Sequence, residues 1–552
     1  MIKVTLDNGK EISVELGKSF LDIQKESGID FRFPIIGAKV NNEQKSLFEK
    51  PDSDCNVSFI DATCEEGRRI YRTSLAMLMF KAFNKLFPKG KVAVDHSVMG
   101  GVWCTPEIGE TFRTSHVQKL KEAMQRLVSR KIPFETTIID VDSAKRFFKN
   151  FNRQDTLRLL SNLPKDAPVE ISNCGGYKDC IFTKPVPDSS YLGVFDLVYY
   201  PPGFILRFPR AMNPLELSKY EMERQIFKIY SEYKKWVKLL NVTDVSSLNE
   251  IVRAGETNDL IRISEAFHEK KIAAIADTIT SQKENLRIIL VAGPSSSGKT
   301  TFAHRLAIQL RVNGMKPVAI SVDNYFLNRE LTPRDENGDY NFEVIDALDL
   351  DLFNEHLTAL LSGKEITVPI FDFTKGHRSE EGITMKVNAD QPIIIEGIHG
   401  LNDRLTESVA RENKFKIYIS PLTQMRLDCH SRIHTTDTRI LRRMVRDNLY
   451  RGRNALGTLE RWDSVRKGER SYIFPYQEEA DIMFNSSLIY EISVLKNFLL
   501  EPLNAITNEY PEYSEARRLL DLIQFFDPIG TDEIPPNSIL REFIGATIFA
   551  KM

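Results

Sequence analysis

Residues 286–301 read Leu-Arg-Ile-Ile-Leu-Val-Ala-Gly-Pro-Ser-Ser-Ser-Gly-Lys-Thr-Thr, and this stretch decides the fold of the largest part of the chain. Its apolar run predicts a buried strand, and the residues from Lys299 onward predict a helix. Gly293, Gly298, Lys299 and Thr300 stand at the fixed positions of a phosphate-binding loop. The backbone N–H groups of such a loop wrap a polyphosphate, while the lysine reaches its β- and γ-phosphates and the threonine holds Mg²⁺. The residues predicted to bind a nucleoside triphosphate are Gly293, Ser295, Ser296, Ser297, Gly298, Lys299, Thr300 and Thr301.

Length and charge restrict the class of protein. The chain has 552 residues, too many for one hydrophobic core, so several domains are expected. Lys and Arg number 74 against 76 Asp and Glu, and this balance creates no overall field toward nucleic acid or a membrane. No apolar run approaches the roughly 20 residues that span a bilayer, and the amino terminus does not resemble a secretory signal. We expect a cytoplasmic protein without a membrane partner.

The first 62 residues predict a small β-grasp module. Apolar and polar residues alternate over 2–16 around Asn8-Gly9, which is the strongest short signal for a β-hairpin. Ser19 is a candidate N-cap for a short helix, and strand patterns follow at 35–40 and 57–60. In this order, residues 1–62 resemble the TGS module that opens threonyl-tRNA synthetases.

Residues 63–210 resemble the editing-type α+β domain of the same synthetases, which normally binds Zn²⁺. That family carries two histidines four residues apart on a helix, but the matching positions here are Thr73 and Met77. Pro185 stands at the place of a later histidine, and Cys180 is one residue out of register. These residue types do not form the usual zinc site, so we expect a metal-free scaffold. An alternative metal site would have to assemble Cys174, Cys180, His96 and His116.

The remaining sequence divides into three segments. Residues 211–285 are charged, with apolar residues at three- to four-residue spacing, which predicts a helical connector. Residues 286–490 form the predicted P-loop domain, and residues 491–552 form a helical carboxyl-terminal appendage. The connector also contains an aromatic stripe with an expected packing role, formed by Tyr220, Ile226, Ile229, Tyr230 and Tyr233.

Two further strands are predicted to end in acidic residues. Val318–Val322 runs into Asp323, and Pro392–Ile395 runs into Glu396. The carboxyl ends of parallel strands meet at one edge of the sheet, where open α/β sheets bind their ligands. Asp323 is therefore the candidate general base for a hydroxyl acceptor, with a helix cap or turn role as the alternative. The candidate Mg²⁺ ligands are Thr300, Asp323 and Glu396.

A basic helix is predicted downstream of these strands. Its arginines at 439, 442, 443 and 446 follow the spacing i, i+3, i+4, i+7 and so share one helix face. Residues 431–470 hold eleven Lys or Arg against five Asp or Glu, which could indicate a solvated basic face or an RNA-binding surface. The other interpretation is a lid, because guanidinium groups bind phosphate and stabilise a transferring phosphoryl group. The predicted catalytic residues are Lys299, Asp323, Arg443 and Arg446, and Arg451 and Arg453 are predicted to bind the nucleotide.

Over about 286–490 the chain resembles the uridine/cytidine kinase and phosphoribulokinase family of P-loop kinases. The resemblance implies that Asp323 is the base, that Glu396 serves Mg²⁺ and that the lid arginines hold ATP. The implied fold class is a multidomain α/β protein, in which a parallel-sheet P-loop kinase domain follows a β-grasp module and an α+β synthetase-like domain. The motifs that carry the resemblance are Gly293–Thr300, Ser321–Tyr325, Asn341–Glu343, Pro369–Phe373, Glu396-Gly397 and Asp437–Arg439.

The acceptor pocket departs from the family pattern. Uridine kinases usually carry Asp where Glu343 stands and Tyr where Phe371 stands. The family histidine precedes its arginine by two residues, whereas His377 lies directly before Arg378. Glu343 can still accept two hydroxyl groups, but Phe371 can only stack on a base. The residues predicted to contact the acceptor are Asp323, Tyr325, Glu343, Phe371, His377 and Arg378.

These features predict an ATP- and Mg²⁺-dependent nucleoside kinase of the uridine/cytidine type that acts on a ribose 5′-hydroxyl. A sugar or polyol kinase with the same machinery is a second hypothesis. A third, of another class, is an RNA- or ribosome-associated protein whose P-loop domain works as a nucleotide switch, although the front half shows no concentrated basic stripe. The expected partner is a small-molecule hydroxyl acceptor, and a homo-oligomer is compatible with the sequence.

Overall fold

The computed structural model describes residues 1–151, 153–209, 213–335, 338–373, 375–423 and 425–549. Within these ranges the chain forms five β-sheets joined and covered by helices. Among the helices of this part of the chain, none is both long and apolar enough to cross a membrane. The predicted boundary at 210/211 falls outside the described residues.

The amino-terminal sheet is a five-stranded β-grasp sheet with order β2-β1-β5-β3-β4, in which β1 and β5 are parallel. The predicted hairpin is confirmed, since Ile2 pairs with Val14 and Gly9 in the turn takes a φ of 76°. Ser19 caps the first helix as predicted, because its side chain accepts from the N–H of Asp22. The elements are β1 (Ile2–Leu6), β2 (Glu11–Val14), α1 (Phe20–Glu26), β3 (Ile35–Val40), β4 (Glu43–Lys45) and β5 (Cys55–Asp61).

The second region builds two antiparallel sheets around a long helix, α2 (Glu65–Leu86). Its further elements are β6 (Lys91–Val98), β7 (Gly101–Glu107), α3 (Thr114–Ser129), β8 (Phe134–Asp140), α4 (Val141–Asn150), α5 (Gln154–Leu160), β9 (Pro168–Cys174), β10 (Tyr177–Asp179), β11 (Asp196–Tyr200) and β12 (Gly203–Arg207). The strand orders are β11-β12-β7-β6 and β10-β9-β8. Helix α2 contacts β6 and β9 as well as β3 and β5, so one hydrophobic core joins this region to the β-grasp sheet.

Met77 and two residues of the alternative metal site, His96 and Cys174, take part in the packing of the protein interior. Met77 is fully buried in the core around α2. His96 stacks on Tyr230 with ring centroids 3.8 Å apart, and Cys174 is buried in the same core as Met77. In the part of the chain that the structure describes, no three His, Cys, Asp or Glu side chains come together as a metal-ion site.

Three helices connect this region to the parallel sheet: α6 (Arg224–Leu239), α7 (Val245–Ala254) and α8 (Thr257–Thr280). The predicted packing role is confirmed for four residues of the stripe, which are buried against strand residues of the next domain: Ile226, Ile229, Tyr230 and Tyr233. Tyr220 lies ahead of α6, so it is not part of the helical spacing, but it packs on a hydrophobic cluster of β6, β7 and β12 as the predicted packing role requires. The guanidinium of Arg207 lies 5.4 Å from the centre of the Tyr220 ring.

The P-loop domain is built on a five-stranded, fully parallel sheet with order β14-β17-β13-β18-β19. Its strands are buried on both faces, as is typical of a parallel sheet covered by helices. Glu396 is aligned with Val291 on β13 and with Ser321 on β14, so the predicted strand ends do meet at one edge. The elements are β13 (Ile288–Ala292), α9 (Lys299–Val312), β14 (Val318–Ser321), α10 (Leu350–Leu361), β15 (Ile366–Asp372), β16 (His377–Met385), β17 (Ile393–Glu396), β18 (Lys414–Ser420), α11 (Thr435–Tyr450), α12 (Ala455–Glu460), α13 (Trp462–Tyr472) and β19 (Ile482–Asn485).

The carboxyl-terminal segment is part of the core of the P-loop domain. It contains α14 (Glu491–Asn504), α15 (Tyr513–Ile523) and α16 (Arg541–Ile544). Ile539 and Phe543 are fully buried in a hydrophobic cluster that also holds Phe302 of α9 and Leu441 of α11. The segment that the sequence predicted as an appendage therefore packs directly on the helix that follows the phosphate-binding loop.

A chain of charged contacts joins α2 to α11. Arg69 NH1 donates to Glu515 Oε2 at 2.9 Å, and Arg518 NH2 donates to Glu515 Oε1 at 2.7 Å. The same Arg518 nitrogen reaches Asp437 Oδ1 on α11 at 2.8 Å. Burial alone would raise the pKa of Glu515, but the guanidinium groups of Arg518 and Arg69 lower it to about 2. Glu515 is therefore a strongly stabilised anion between the two regions.

We expect Arg69→Ala to lower the free energy of unfolding by about 1.5–3 kcal/mol at neutral pH, because a charged hydrogen bond is lost. A carboxylate with a depressed folded-state pKa stabilises the fold above its unfolded pKa and loses this effect as the pH falls. The difference from the wild type should therefore shrink between the ordinary pKa of 4.5 and the folded value of about 2.

Urea unfolding followed by tryptophan fluorescence measures this difference. Arg126→Ala is the matched control, because the Arg126 side chain is 63% exposed on α3. Arg69→Lys should restore part of the stability. An Arg69→Ala protein as stable as the Arg126→Ala protein would show that the contact does not hold the two regions together.

Candidate active site

The turn from β13 into α9 needs glycine at two positions. A Cβ on Gly293 would lie 2.0 Å from the carbonyl oxygen of Ile419, so a side chain does not fit there. Gly298, the N-cap of α9, has a φ of 87°, a left-handed conformation that L-residues rarely adopt. Ser296 also takes a positive φ, of 60°. The backbone thus curves tightly between strand and helix, as a phosphate-binding loop requires.

The outer side of the loop is held by α11, which we call the lid helix. Arg439 Nε donates to the carbonyl oxygen of Ser295 at 2.9 Å, and Arg443 NH1 donates to Ser295 Oγ at 2.9 Å. The hydroxyl oxygens of Ser296 and Ser297 are buried and find no hydrogen-bond partner among the described residues. Buried polar atoms need a partner, and the phosphate oxygens of a nucleotide would supply one.

Lys299 and Glu396 face each other beside the loop. Lys299 Nζ lies 4.0 Å from Glu396 Oε1 and 3.4 Å from the carbonyl oxygen of Pro294. Burial raises the pKa of Glu396 to about 7, with Lys299 opposing the rise and Asp323 adding to it. A cation bound beside such a carboxylate would favour its ionised form, which is what a Mg²⁺ site requires.

Asp323 stands in the short turn Val322–Tyr325 that follows β14. Burial is the main cause of the raised pKa of Glu343 and of Glu396, and the negative charge of Asp323 adds to both rises. Asp323 is itself only partly buried, so an acceptor hydroxyl can approach its carboxylate. The structure therefore brings the predicted base near both other acids at the carboxyl edge of the sheet, and we call the region between these acids and the loop the crevice.

The oxygen atoms beside the phosphate-binding loop are of the kind that binds Mg²⁺ together with a triphosphate. Mg²⁺ is usually held by one or two carboxylates together with phosphate oxygens and water. Asp323 and Glu396 supply two carboxylates, and Thr300, the second residue of α9, supplies a hydroxyl group. A bound Mg²⁺ would also offset the repulsion between the two acids.

Glu343 lies on the side of the crevice where the acceptor is predicted to bind. Its Oε2 is buried and has no hydrogen-bond partner within the described ranges. Gly468 of α13 packs against it, because a Cβ on Gly468 would lie 2.2 Å from Glu343 Cβ. Burial raises the pKa of Glu343, whereas the positive charges of Arg443, Arg439 and Lys299 oppose the rise. Glu343 Oε2 can therefore accept a hydrogen bond from a bound ligand.

Three phenylalanines, Phe326, Phe371 and Phe373, form an aromatic wall on the side where the acceptor is predicted to bind. Phe371 packs against Phe326 and Phe373, with ring centroids 5.8 and 5.1 Å away. The guanidinium of Arg451 lies 5.5 Å from the centre of the Phe373 ring, so the lid reaches this wall. Sequence reasoning selected Phe371 and missed Phe373, which alternates with it along the chain and is the more exposed of the two.

Three other predicted acceptor residues, Tyr325, His377 and Arg378, have partners within the protein. Tyr325 is fully buried, and its hydroxyl group pairs with a histidine of α10. Arg378 donates to the two backbone carbonyl oxygens of residues 325 and 326 and to Asp349, so it fixes the turn behind Asp323. His377, the first residue of β16, has a 46% exposed side chain, and its Nε2 lies 3.2 Å from Glu330 Oε1. These contacts support structural roles for Tyr325 and Arg378.

Asp447 contacts three of the lid arginines, Arg443, Arg446 and Arg451. Its carboxylate lies 3.3 Å from Arg443 Nε, 2.9 Å from Arg446 NH2 and 3.8 Å from Arg451 Nε. The backbone N–H of Arg453 donates to the Asp447 carbonyl oxygen at 3.1 Å, which folds the turn back onto the helix. Sequence reasoning missed Asp447, although its four-residue spacing from Arg443 and Arg451 was a usable signal.

Arg439 and Arg442 differ from the other lid arginines. Arg439 is 1% exposed and paired with Glu469, and Arg442 is fully buried with its Nε donating to Glu491 Oε2 at 2.6 Å. A buried guanidinium needs such a carboxylate partner. The interpretation of this helix face as a solvated or RNA-binding surface is therefore wrong for these two residues.

A parallel sheet whose carboxyl edge carries a phosphate-binding loop, two acids and an arginine lid defines a P-loop kinase site. Residues 288–493 match the Phosphoribulokinase / Uridine kinase family. A uridine kinase from Chloroflexus aurantiacus is 31% identical over 199 residues, which cover 36% of this chain and 85% of that protein. The chain therefore belongs to the Phosphoribulokinase / Uridine kinase family.

The amino-terminal region is similar to a different kind of protein. A threonine–tRNA ligase from Clostridium kluyveri is 26% identical over 189 residues, 34% of this chain and 30% of the ligase. The chain thus spans less than a third of the length of that relative. The solved structure of a possible uridine kinase from Bacillus stearothermophilus covers 39% of this chain and 97% of its own, at 21% identity and a TM-score of 0.28. Because that TM-score is low, the fold is assigned from the strand order of this protein's own parallel sheet.

Proposed function

We propose that this chain is an ATP-dependent nucleoside kinase that transfers the γ-phosphoryl group to a ribose 5′-hydroxyl. The observation that carries the proposal is the unpartnered carboxylate oxygen of Glu343, in a crevice shared with Lys299, Asp323 and Arg443. A carboxylate can accept from two hydroxyl groups at once, which suits the neighbouring hydroxyl groups of a ribose. The similarity to uridine kinases supports this reaction class.

Each residue of the crevice has its own task in this proposal. Asp323 takes the proton from the acceptor hydroxyl as that oxygen bonds to the γ-phosphorus, and the bond to the bridging oxygen breaks to leave ADP. Lys299 and Arg443 place positive charge where negative charge builds up on the transferring group. Glu343 orients the acceptor. Bound Mg²⁺ supplies charge neutralisation, and the residues that would hold it are Thr300, Asp323 and Glu396.

The aromatic wall sets the expected base specificity. Phe371 and Phe373 offer ring faces and edges, and neither side chain can hydrogen-bond to a base. A nucleoside base is therefore expected to bind by stacking. We expect the enzyme to accept more than one base, and to discriminate mainly at the ribose through Glu343.

A substrate panel tests the proposal. Uridine, cytidine, adenosine and guanosine are each incubated with ATP and Mg²⁺ beside ribose, fructose and glycerol, and ADP release is measured together with the mass of the product. At least one nucleoside should give a monophosphate, and 5′-deoxyuridine should give none. Phosphorylation of the sugars or glycerol alone would show that the sugar or polyol kinase hypothesis is the correct one.

Glu343→Gln should raise the KM for the nucleoside by roughly 10- to 100-fold, because a charged acceptor of hydrogen bonds becomes neutral. The KM for ATP should stay nearly the same, and the preference for uridine over 2′-deoxyuridine should fall. Glu330→Gln is the matched control, since the Glu330 side chain is 65% exposed beside His377 of β16. An unchanged nucleoside KM in Glu343→Gln would remove this residue from the acceptor site.

A further inference from the structure

The carboxyl-terminal segment places a carboxylate on the phosphate-binding loop. Glu542 Oε2 accepts a hydrogen bond from the backbone N–H of Thr301 at 3.1 Å and another from Thr301 Oγ1 at 2.9 Å. These two residues are 241 positions apart in the chain. The contact is therefore a tertiary feature of the folded domain.

The importance of this contact follows from the position of Thr301 in the first turn of α9. Thr301 is the third residue of α9, a 14-residue helix, so its N–H belongs to the first turn and has no acceptor within the helix. In phosphate-binding loops these N–H groups bind phosphate oxygens, aided by the positive end of the helix dipole. The Glu542 carboxylate thus stands where an oxygen of the donor polyphosphate would bind.

The segment around Glu542 is anchored on both walls of the donor site. On the loop side, a Cβ on Gly298 would lie 2.4 Å from Ile539 Cγ2, so the two are in close contact. On the lid side, the guanidinium of Arg442 lies 5.0 Å from the centre of the Phe543 ring. The segment consequently reaches from the start of α9 to α11.

Electrostatics oppose simultaneous binding of Glu542 and a polyphosphate at Thr301. Glu542 Oε2 already occupies both the backbone N–H and the hydroxyl group of Thr301. Further phosphate charge at the same helix end would repel the Glu542 carboxylate. Glu542 and a phosphate oxygen therefore compete for the N–H group of Thr301.

We propose that Glu542 occupies a phosphate position of the donor site and that the phosphate donor must displace it, so that the carboxyl-terminal segment sets the donor affinity. This inference rests on the proposed function of the loop as the site of a triphosphate donor. A protein whose binding-competent state is only partly populated shows an affinity reduced by that fraction. Glu542 lowers donor affinity in this way and leaves the acceptor side untouched.

Calorimetric titration with Mg·ADP tests the inference on the full chain. Glu542→Gln removes the charge and keeps the shape, and it should bind Mg·ADP roughly 10- to 100-fold more tightly than the wild type, the factor that corresponds to charged hydrogen bonds. Glu533→Gln is the matched control, because Glu533 lies in the same segment with a 49% exposed side chain and lies 3.8 Å from Arg262 on α8. The control should bind Mg·ADP like the wild type, and the KM for the acceptor should be unchanged in both variants.

The outcomes separate this inference from the proposed function. Equal or weaker Mg·ADP binding by Glu542→Gln would overturn the displacement of Glu542, while binding by the wild type would leave the proposed function standing. Absence of binding in all three proteins would overturn both. Hydrogen–deuterium exchange gives an independent readout on the wild type: exchange in residues 531–549 should rise when Mg·ADP is added. Unchanged or slower exchange there would contradict displacement.

Discussion

Asp323→Asn is expected to lower the turnover number by roughly 100- to 10,000-fold, the range that a general base contributes. Asparagine keeps the size of the side chain but cannot take the proton from the acceptor hydroxyl. Asparagine keeps one oxygen that can bind Mg²⁺, and the loop, Lys299 and Glu396 remain in place, so the Kd for Mg·ADP should change little. Initial rates with the preferred acceptor and calorimetric titration with Mg·ADP measure the two quantities on the same protein.

The matched control for this substitution is Asp346→Asn. Asp346 belongs to the same domain, but its side chain is 60% exposed and pairs with Arg404 at the surface. It should retain wild-type turnover. Undiminished turnover in Asp323→Asn would remove Asp323 as the base. Equal losses of turnover and nucleotide binding would instead assign Asp323 to the metal site alone.

Lys299→Met is expected to lower the turnover number by roughly 100- to 1,000-fold, the cost of losing one group that stabilises developing charge. The substitution removes the cation that lies 4.0 Å from Glu396 Oε1. Because Lys299 opposes the effect of burial, the pKa of Glu396 should then rise above its present value of about 7. Less of this acid is ionised near neutral pH, so the Mg²⁺ concentration required for half-maximal activity should increase.

Steady-state rates over a Mg²⁺ series measure both effects. Lys316→Met provides a control, because Lys316 is an exposed lysine between α9 and β14 whose backbone carbonyl accepts a hydrogen bond from Gln391. Its rates should match those of the wild type. A Lys299→Met enzyme with wild-type turnover would exclude the loop lysine from phosphoryl transfer.

The phosphate end of the site could be predicted because its signals are local in sequence. Gly293 and Gly298 mark the two points where the backbone needs glycine, and an apolar run before each acid predicts a strand end. Parallel strands then bring Asp323 and Glu396 to one edge without any knowledge of side-chain packing. The β-hairpin around Gly9 was predictable for the same reason.

The acceptor side could be predicted only in part, because tertiary packing decides which neighbouring side chain enters the crevice. Tyr325 follows Asp323 closely in sequence, yet its ring packs into the core against α10. Helical spacing predicted a shared face for the lid arginines, but it could not show that Arg439 and Arg442 meet Glu469 and Glu491. The contact of Glu542 with the loop has no local signal at all.

The synthetase-like region also packs on the segment that leads into the lid helix. Arg72 NH2 lies 2.8 Å from Nε2 of His434, the N-cap of α11. Phe80 stacks on His430 with ring centroids 3.6 Å apart. The face of α2 that points toward this segment therefore fixes the base of the lid. Such contacts between distant regions could not be deduced from either region alone.

The measurement that tests the central claim most directly follows the transferred group itself. The full chain is incubated with ATP labelled with ¹⁸O in its γ-phosphoryl group, Mg²⁺ and a nucleoside, and the products are separated and weighed by mass spectrometry. The account predicts that the three labelled non-bridging oxygens appear in a nucleoside 5′-monophosphate, in equal amount to the ADP formed. Label found only in inorganic phosphate, with every nucleoside unchanged, would contradict it.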